Sequence, residues 1–224
     1  GVDIQAGELS GIPVYASFDA VRERVDCIID FSNHALLPKI LEYALSKRLP
    51  AVIATTGHTE AERALMREAA ERIPVFSSGN MSLGINVLIS LAKSAAAALG
   101  NDFDIEIIEA HHNQKKDAPS GTAMTAFEVI ANELDRDPEE VGVYGRQGMV
   151  GKRTKEEIGL HAIRGGDIVG DHTVMFVGDG ERIEFTHRAH TREVFIAGVI
   201  RAIRYIPDAE SGIVSSMNDV LGLE

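Results

Sequence analysis

The chain has 224 residues, a formal net charge of −12 and 45% hydrophobic residues. These values are typical of a globular protein with a sizeable core, and the acidic balance makes nucleic acid and anionic membranes poor partners. A single cysteine, Cys27, excludes an internal disulfide and fits a cytoplasmic protein, and we expect no membrane-spanning segment.

The first third of the sequence alternates short apolar runs with helical patterns. We predict strands at 12–15, 27–31, 51–57 and 73–78 and helices at 34–47 and 60–72, while residues 1–4 look like the tail of another strand. Such alternation indicates a parallel α/β sheet, whose ligands bind beyond the carboxyl ends of the strands. Those ends carry small and polar residues, as a cofactor crevice needs, although each could equally be an ordinary turn: Asp30, Phe31, Ala54, Thr55, Thr56, Gly57 and Asn80.

The pattern changes after a long helix that is predicted over 83–99 and ends at Gly100. A strand at 103–110 and a helix at 121–134 are followed by strands at 158–164, 173–177 and 182–188, the last two joined by a hairpin signal. We therefore predict a second, α+β domain with a mixed four-stranded sheet. A helix at 195–205 is expected to return to the first domain.

The stretch 109–122 reads E-A-H-H-N-Q-K-K-D-A-P-S-G-T and carries the chemistry. On the preceding strand Glu109 and His111 share a face with apolar residues, because alternate side chains point the same way. Ser120 or Thr122 can cap the next helix, whose N-terminus attracts anions. With His111, His112, Lys115 and Lys116 beside it, the stretch predicts a pocket for a small anionic substrate and proton transfer. Histidines at a strand end can equally serve only to bond a neighbouring loop.

Several motifs together resemble the 4-hydroxy-tetrahydrodipicolinate reductase (dihydrodipicolinate reductase) family over essentially the whole chain. They are Asp30-Phe31-Ser32, Ala54-Thr55-Thr56-Gly57, Asn80-Met81-Ser82-Leu83-Gly84, the stretch 109–122, the stretch 164–172 (R-G-G-D-I-V-G-D-H) and Thr186-His187-Arg188-Ala189. The stretch 109–122 is the most specific of them. The threonine pair and the Asp-Phe-Ser turn are weak when taken alone.

The resemblance implies an NADH- or NADPH-dependent oxidoreductase of lysine and diaminopimelate biosynthesis. Its substrate would be a cyclic imine dicarboxylate, and the protein would be a cytoplasmic homotetramer. Residues 1–80 and 193–224 would form a Rossmann-like dinucleotide-binding domain, and residues 81–192 a domain for substrate binding and tetramerisation. By position, His111 matches the general acid, Lys115 the group that stabilises developing charge, and His112, Gly121 and Thr122 the substrate site. The segments that would line the cofactor include Asp3, Asp30, Phe31, Ala54, Thr55, Thr56, Gly57, Asn80 and Met81.

One departure from the family pattern concerns the first βα unit. The family begins with a strand and a Gly-rich turn for the cofactor pyrophosphate, which the sequence lacks. We expect the chain to be a fragment of a longer protein with an N-terminally incomplete first domain. Asp3 then matches the acidic residue at the adenosine ribose. Because Ile4 and Gln5 follow it, where an arginine would accept a 2′-phosphate, the sequence favours NADH.

Two other classes of function compete with the reductase. A metal-dependent hydrolase could use Glu109, His111 and His112, but adjacent strand residues point to opposite faces, and we predict no metal site. A non-catalytic dicarboxylate-binding or sensor module is the other alternative, and it is compatible with the absence of the Gly-rich turn.

Overall fold

A computed structural model describes residues 1–223, and the chain divides into two compact units. The first contains Gly1–Ser78 and Ala202–Ser216, and the second contains Gly79–Arg201 and the residues from Met217 onward. The strands, in chain order, are β1 (Gly7–Leu9), β2 (Ile12–Val14), β3 (Ile28–Asp30), β4 (Ala51–Ile53), β5 (Val75–Ser77), β6 (Asp104–His111), β7 (Gly142–Tyr144), β8 (Ile158–Arg164), β9 (Gly170–Val177), β10 (Arg182–Ala189) and β11 (Val214–Ser215). The α-helices are α1 (Leu37–Lys47), α2 (Glu60–Ala70), α3 (Leu83–Leu99), α4 (Gly121–Glu133), α5 (Pro138–Val141), α6 (Glu193–Tyr205) and α7 (Met217–Leu221).

The first unit is built on a parallel sheet with the strand order β11-β5-β4-β3, which confirms the predicted α/β architecture. All three residues of β4 are fully buried, as expected for a parallel strand covered on both faces. Helices α1 and α2 pack on this sheet through apolar stripes. A reciprocal pair of hydrogen bonds between Thr59 and Glu62 fixes the start of α2.

The N-terminal segment differs from its prediction. The predicted strand at 12–15 exists as β2, but it pairs antiparallel with β1 in a separate two-stranded hairpin. Ser10 and Gly11 both have positive φ angles, 51° and 79°, which a two-residue hairpin turn of the I′ type requires. Residues 1–4 form no strand, because Val2 makes only an isolated bridge with Tyr15.

The second unit contains a mixed sheet with the strand order β10-β9-β6-β8-β7. Strands β6, β7 and β8 are parallel, and β9 runs antiparallel to β6 and β10. The prediction of four strands was therefore one too few. The fifth strand, β7, lies in a polar stretch with Gly142, Gly145, Gly148 and Gly151, which offers no apolar run by which it could be recognised.

Helices α3 and α4 cover one face of the mixed sheet. Their apolar residues form the core of the unit with Ile105, Ile107, Val174 and Phe176, all at most 1% exposed. Contrary to expectation, the segment Leu83–Asp102 is long and apolar enough by composition to cross a membrane. A core helix meets the same criteria, and α3 contributes Leu88, Ala92 and Ala96 to this core.

Helix α6 contributes its first nine residues to the second unit and its last four to the first. Its Gly198 touches the backbone of Met81, since a Cβ at this position would lie only 1.7 Å from the Met81 carbonyl oxygen. This close packing explains why the second unit extends beyond residue 192.

Candidate active site

The carboxyl end of β6 presents Glu109 and His111 on one face of the sheet. Alternation along the strand is clear, because Ile105, Ile107 and Glu109 are each at most 1% exposed while their neighbours are partly exposed. Glu109 Oε2 lies 2.7 Å from His111 Nδ1. The apolar face of β6 thus ends in a bonded carboxylate–imidazole pair.

Glu109 is almost completely buried, and its carboxylate is fully satisfied. Arg164 at the end of β8 donates from its two terminal nitrogens to the two oxygens, at 2.8 and 2.7 Å. The Ser120 backbone N–H donates to Oε1 at 2.9 Å. Burial opposes the charged form, but the hydrogen bonds from Arg164, His111 and Ser120 outweigh it and lower the pKa of Glu109. The carboxylate is therefore ionised at neutral pH.

Lys115 lies on the loop between β6 and α4, which also contains the cis peptide bond Ala118–Pro119. Its Nζ lies 2.9 Å from Asp117 Oδ2, and this hydrogen bond lowers the pKa of Asp117. The Asp117 carbonyl accepts a hydrogen bond from Arg164. Arg164 therefore holds both Glu109 and the loop that carries Lys115.

The N-terminus of α4 follows this loop. Ser120 is its N-cap and accepts from the Ala123 N–H at 3.2 Å, while Gly121 and Thr122 form the first turn. Thr122 Oγ1 accepts a hydrogen bond from the Asn80 side chain at 2.9 Å. The N–H groups at the start of a helix give an electropositive site for an anion, and here they belong to Gly121 and Thr122.

Two further histidines lie beside His111 on the same face of the sheet. The register pairs His172 on β9 with Glu109 on one side and with His187 on β10 on the other. Their Nε2 atoms bond the N-cap serines of the two helices, His172 with Ser120 at 3.0 Å and His187 with Ser82 at 3.3 Å. We call this set of Glu109, His172 and His187 the polar row.

His172 is only 6% exposed and meets the His111 ring edge to face, with ring centroids 5.2 Å apart. Burial, together with a smaller effect of the nearby His111, lowers the pKa of His172 to about 4. His172 is therefore neutral at physiological pH. Burial likewise lowers the pKa of His187.

The first unit has its own cavity of about 250 Å³ at the carboxyl ends of β3 and β4. It is lined by Phe31, Ser32, Asn33, His34, Ala54, Thr55 and Thr56. Asp30 lies buried at the end of β3, where its Oδ1 accepts from the Ser32 N–H. Thr55 Oγ1 and Asp30 Oδ2 are buried and have no hydrogen-bond partner among residues 1–223. Thr55 lines the cavity, and an unsatisfied polar atom on a lining residue suits a polar ligand.

Of the predicted cofactor residues, Phe31, Ala54, Thr55 and Thr56 line this one cavity. Other predicted residues are not among its lining. Asp3 lies in the exposed N-terminal segment, and Gly57 follows the threonine pair with a φ of 82°. Asn80 and Met81 belong to the second unit, where Asn80 joins the starts of α3 and α4 and Met81 is buried.

Within the described residues, no group of three or more His, Cys, Asp or Glu side chains could hold a metal ion. His112 lies just beyond β6 and accepts the Gln114 N–H at 3.2 Å, and Glu109 already receives four hydrogen bonds.

Two residues of the site were not predicted. Arg164 was noted only as part of a motif, and its contact with Glu109 spans 55 positions of the sequence. His172 was likewise noted only as the last residue of the same motif. The alternating pattern of β9 gives a signal that could have identified it, because His172 falls on the same face as the core residues Val174 and Phe176.

Comparison with known proteins identifies the family. The model described as "Dihydrodipicolinate reductase, N-terminus" matches residues 2–81, and the model for the C-terminus matches residues 84–221. The 4-hydroxy-tetrahydrodipicolinate reductase of Methanobrevibacter smithii is 65% identical over 230 residues, covering 100% of this chain and 84% of that protein. The enzyme of the same name from Geobacter sulfurreducens is 49% identical, covering 96% of this chain and 80% of its own length.

Among solved structures, a dipicolinate-bound dihydrodipicolinate reductase from Paenisporosarcina sp. TG-14 has the same fold. The TM-score is 0.75 at 23% sequence identity, over 95% of this chain and 81% of that one. The two family models together cover nearly the whole chain. The chain therefore belongs to the dihydrodipicolinate reductase family.

Proposed function

We propose that the protein reduces 4-hydroxy-tetrahydrodipicolinate, or the dihydrodipicolinate formed from it, to tetrahydrodipicolinate in lysine and diaminopimelate biosynthesis. The identity to enzymes with this name over the full length of the chain carries the proposal. The protein is accordingly an NAD(P)H-dependent oxidoreductase. The cationic residues and the helix N-terminus beside His111 suit a small dicarboxylate.

The proposed roles follow from the chemistry of reduction. The nicotinamide cofactor supplies a hydride, and the reduced substrate ring must then gain a proton. We assign proton donation to His111, whose side chain is held in place by Glu109. We assign stabilisation of the developing negative charge to Lys115, which is 21% exposed and therefore only partly screened by water.

Substrate binding is assigned to His112, Gly121 and Thr122. The backbone N–H groups at the start of α4 can bind a carboxylate, and Gly121 places no side chain in front of them. A substrate carboxylate near Lys115 would have to compete with Asp117, its present partner. Domain roles follow from this assignment: the second unit would bind the substrate and the first unit the dinucleotide.

The cofactor assignment rests on the cavity of the first unit. Thr55, which lines it, has a buried Oγ1 without a hydrogen-bond partner among residues 1–223, so the residues present fit a polar ligand such as a dinucleotide. We propose Asp3, Asp30, Phe31, Ala54, Thr55, Thr56, Gly57, Asn80 and Met81 as its neighbours and NADH as the preferred form. A higher kcat/KM with NADPH than with NADH would contradict this preference, and Gln5→Arg should shift the ratio toward NADPH.

The second unit also offers a surface for the proposed homotetramer. Helices cover only one face of the mixed sheet, and the open face exposes Ile163 by 52%. An open sheet face with exposed apolar residues is typical of an interface. Light scattering should give the mass of a tetramer, and Ile163→Glu should reduce it. A monomeric mass for the unaltered protein would exclude a homotetramer.

We place the enzyme in the cytoplasm, where this biosynthesis takes place.

The function is tested by following NADH and NADPH oxidation with substrate generated in situ by the preceding enzyme of the pathway. His111→Gln and Lys115→Ala should abolish turnover. Lys152→Ala is the control, since Lys152 is an exposed lysine of the same unit to which no role is assigned. Binding of dipicolinate without turnover, both by this chain and by a chain extended with the N-terminal strand and Gly-rich turn of the family, would contradict the reductase and indicate a binding module.

A further inference from the structure

The hydrogen bonds around Glu109 determine which nitrogen of His111 carries a proton. An ionised carboxylate can only accept hydrogen bonds. Glu109 Oε2, 2.7 Å from His111 Nδ1, must therefore accept a hydrogen from that nitrogen. Neutral His111 then has its hydrogen on Nδ1 and a free lone pair on Nε2.

We propose that Glu109, held by Arg164, is the positioning residue that keeps the proton of neutral His111 on Nδ1 and so reserves Nε2 for proton transfer. In the charged imidazolium both nitrogens carry hydrogen. The Nε2–H bond breaks as the proton passes to the substrate, and the Nδ1–H bond to Glu109 is retained. The inference deepens the proposed function and rests on the assignment of His111 as the acid.

The carboxylate cannot turn away from the ring, because each oxygen is held by two donors. Oε2 receives His111 and one nitrogen of Arg164, while Oε1 receives the other nitrogen of Arg164 and the Ser120 N–H. With Glu109 only 1% exposed, water does not compete for these oxygens. A two-pronged ion pair of this kind fixes geometry as well as charge.

The other nitrogen, Nε2, lies beside Gly170 at the start of β9. A Cβ at Gly170 would lie 3.1 Å from Nε2, closer than most real contacts. Glycine therefore leaves the space in front of the nitrogen that the proposal assigns to proton transfer.

Other charged and titratable groups also surround the imidazole. Arg164 reaches it from β8 through Glu109, Lys115 lies on the following loop, and His172 contacts the ring from β9. His172 is buried and neutral, so it adds no positive charge beside His111. Glu109 is the group that bonds the ring directly.

Glu109→Gln keeps the shape of the side chain but should place the proton of neutral His111 on Nε2 instead of Nδ1. The amide NH2 group of the introduced glutamine would take the place of Oε1 or Oε2, and in either place it would face two hydrogen-bond donors. On the Oε2 side the conflict with the imidazole is relieved when His111 moves its hydrogen to Nε2 and accepts at Nδ1. The imidazolium, which needs hydrogen on both nitrogens, becomes harder to form. The same reasoning explains why exchanging carboxylate for amide behind a catalytic histidine is so damaging.

The first test uses the unaltered protein labelled with 15N histidine. NMR of neutral His111, assigned by comparison with His111→Gln, should show hydrogen on Nδ1. Hydrogen on Nε2 instead would overturn the proposal. This measurement requires neither turnover nor a folded Glu109 variant, so it decides the tautomer of His111 even where the proposed function fails.

The second test compares Glu109→Gln with Glu106→Gln. Glu106 lies on the same strand with its side chain on the opposite face, bonded by Arg146, Arg153 and His161, and it has no role in the site. Glu109→Gln should lower kcat about 100-fold, as loss of general acid catalysis does. The pH at which kcat is highest should move to a lower value, and the affinity for dipicolinate should equal that of the unaltered protein. Glu106→Gln should leave kcat and its pH profile unchanged.

The outcomes separate positioning from general structural support. A Glu109→Gln enzyme with unaltered kcat and pH profile would overturn the proposal. Equal loss of kcat in both variants would also overturn it, because stability alone would then explain the effect. An unaltered protein that oxidises neither NADH nor NADPH would count against the proposed function, while the NMR result would still stand.

Discussion

Replacing His172 by glutamine should make the second unit less sensitive to mild acid. Burial lowers the pKa of His172 from its ordinary value of 6.5 to about 4. The unfolded chain therefore binds a proton at higher pH than the folded chain does. The stability contributed by neutral His172 is complete above pH 6.5 and decreases as the pH falls through that value toward 4.

The magnitude follows from these two values. Between pH 7 and pH 5 a shift of this size removes about 2 kcal/mol from the free energy of unfolding. Most carboxylates remain ionised in both states over that range, so they contribute little to the change. Glutamine at position 172 has no charge to gain, while its side-chain amide can still form a hydrogen bond with the Ser120 hydroxyl.

The assay is urea unfolding at one protein concentration, read by hydrogen exchange of peptides from β6 and β9. The destabilisation caused by His172→Gln should be about 2 kcal/mol smaller at pH 5 than at pH 7. His190→Gln, which changes an exposed histidine, is the control and should show no such difference. An equal cost of His172→Gln at both pH values would refute the reasoning that burial keeps His172 neutral.

Three further substitutions test the packing around the site. Gly170→Ala should lower kcat without unfolding the protein, since the new methyl group crowds His111 Nε2; unchanged steady-state kinetics would contradict the contact. Gly198→Ala should lower the free energy of unfolding by about 1–3 kcal/mol, because its Cβ would collide with the Met81 carbonyl oxygen. A thermal midpoint equal to that of the unaltered protein would instead show that α6 can shift. Ser120→Ala should cost about 1–2 kcal/mol through loss of the helix cap, measured by urea unfolding; no cost would mean that the cap is dispensable.

Local patterns in the sequence predicted much of the fold. Helix α3 was predicted with its observed bounds, because Gly100 marks its end clearly. Strand β8 was also predicted with its observed bounds. The pairing of Glu109 with His111 followed from the two-residue period of a strand, since both residues lie on β6.

Contacts between distant parts of the chain could not be predicted in this way. The bond of Arg164 to Glu109 depends on the register of β6 against β8, which neither strand specifies alone. The same holds for His172, whose position beside Glu109 is set by the register of β9. The roles of Lys115, His112 and the predicted cofactor residues stay predictions, since they concern ligands.

The polar row also affects the register in which the strands of the mixed sheet pair during folding. Glu109, His172 and His187 lie side by side on three strands, on the face that is otherwise apolar. If β9 shifted by one residue, Asp171 or Thr173 would take the place of His172, and Ser120 and the edge of His111 would lose their partner. Wrong alignments would thus bury unpaired polar groups, which is costly. The residues around His111 therefore also help to set the register of β6, β9 and the edge strand β10, so substitutions made there to alter catalysis should also be checked for a shifted strand register.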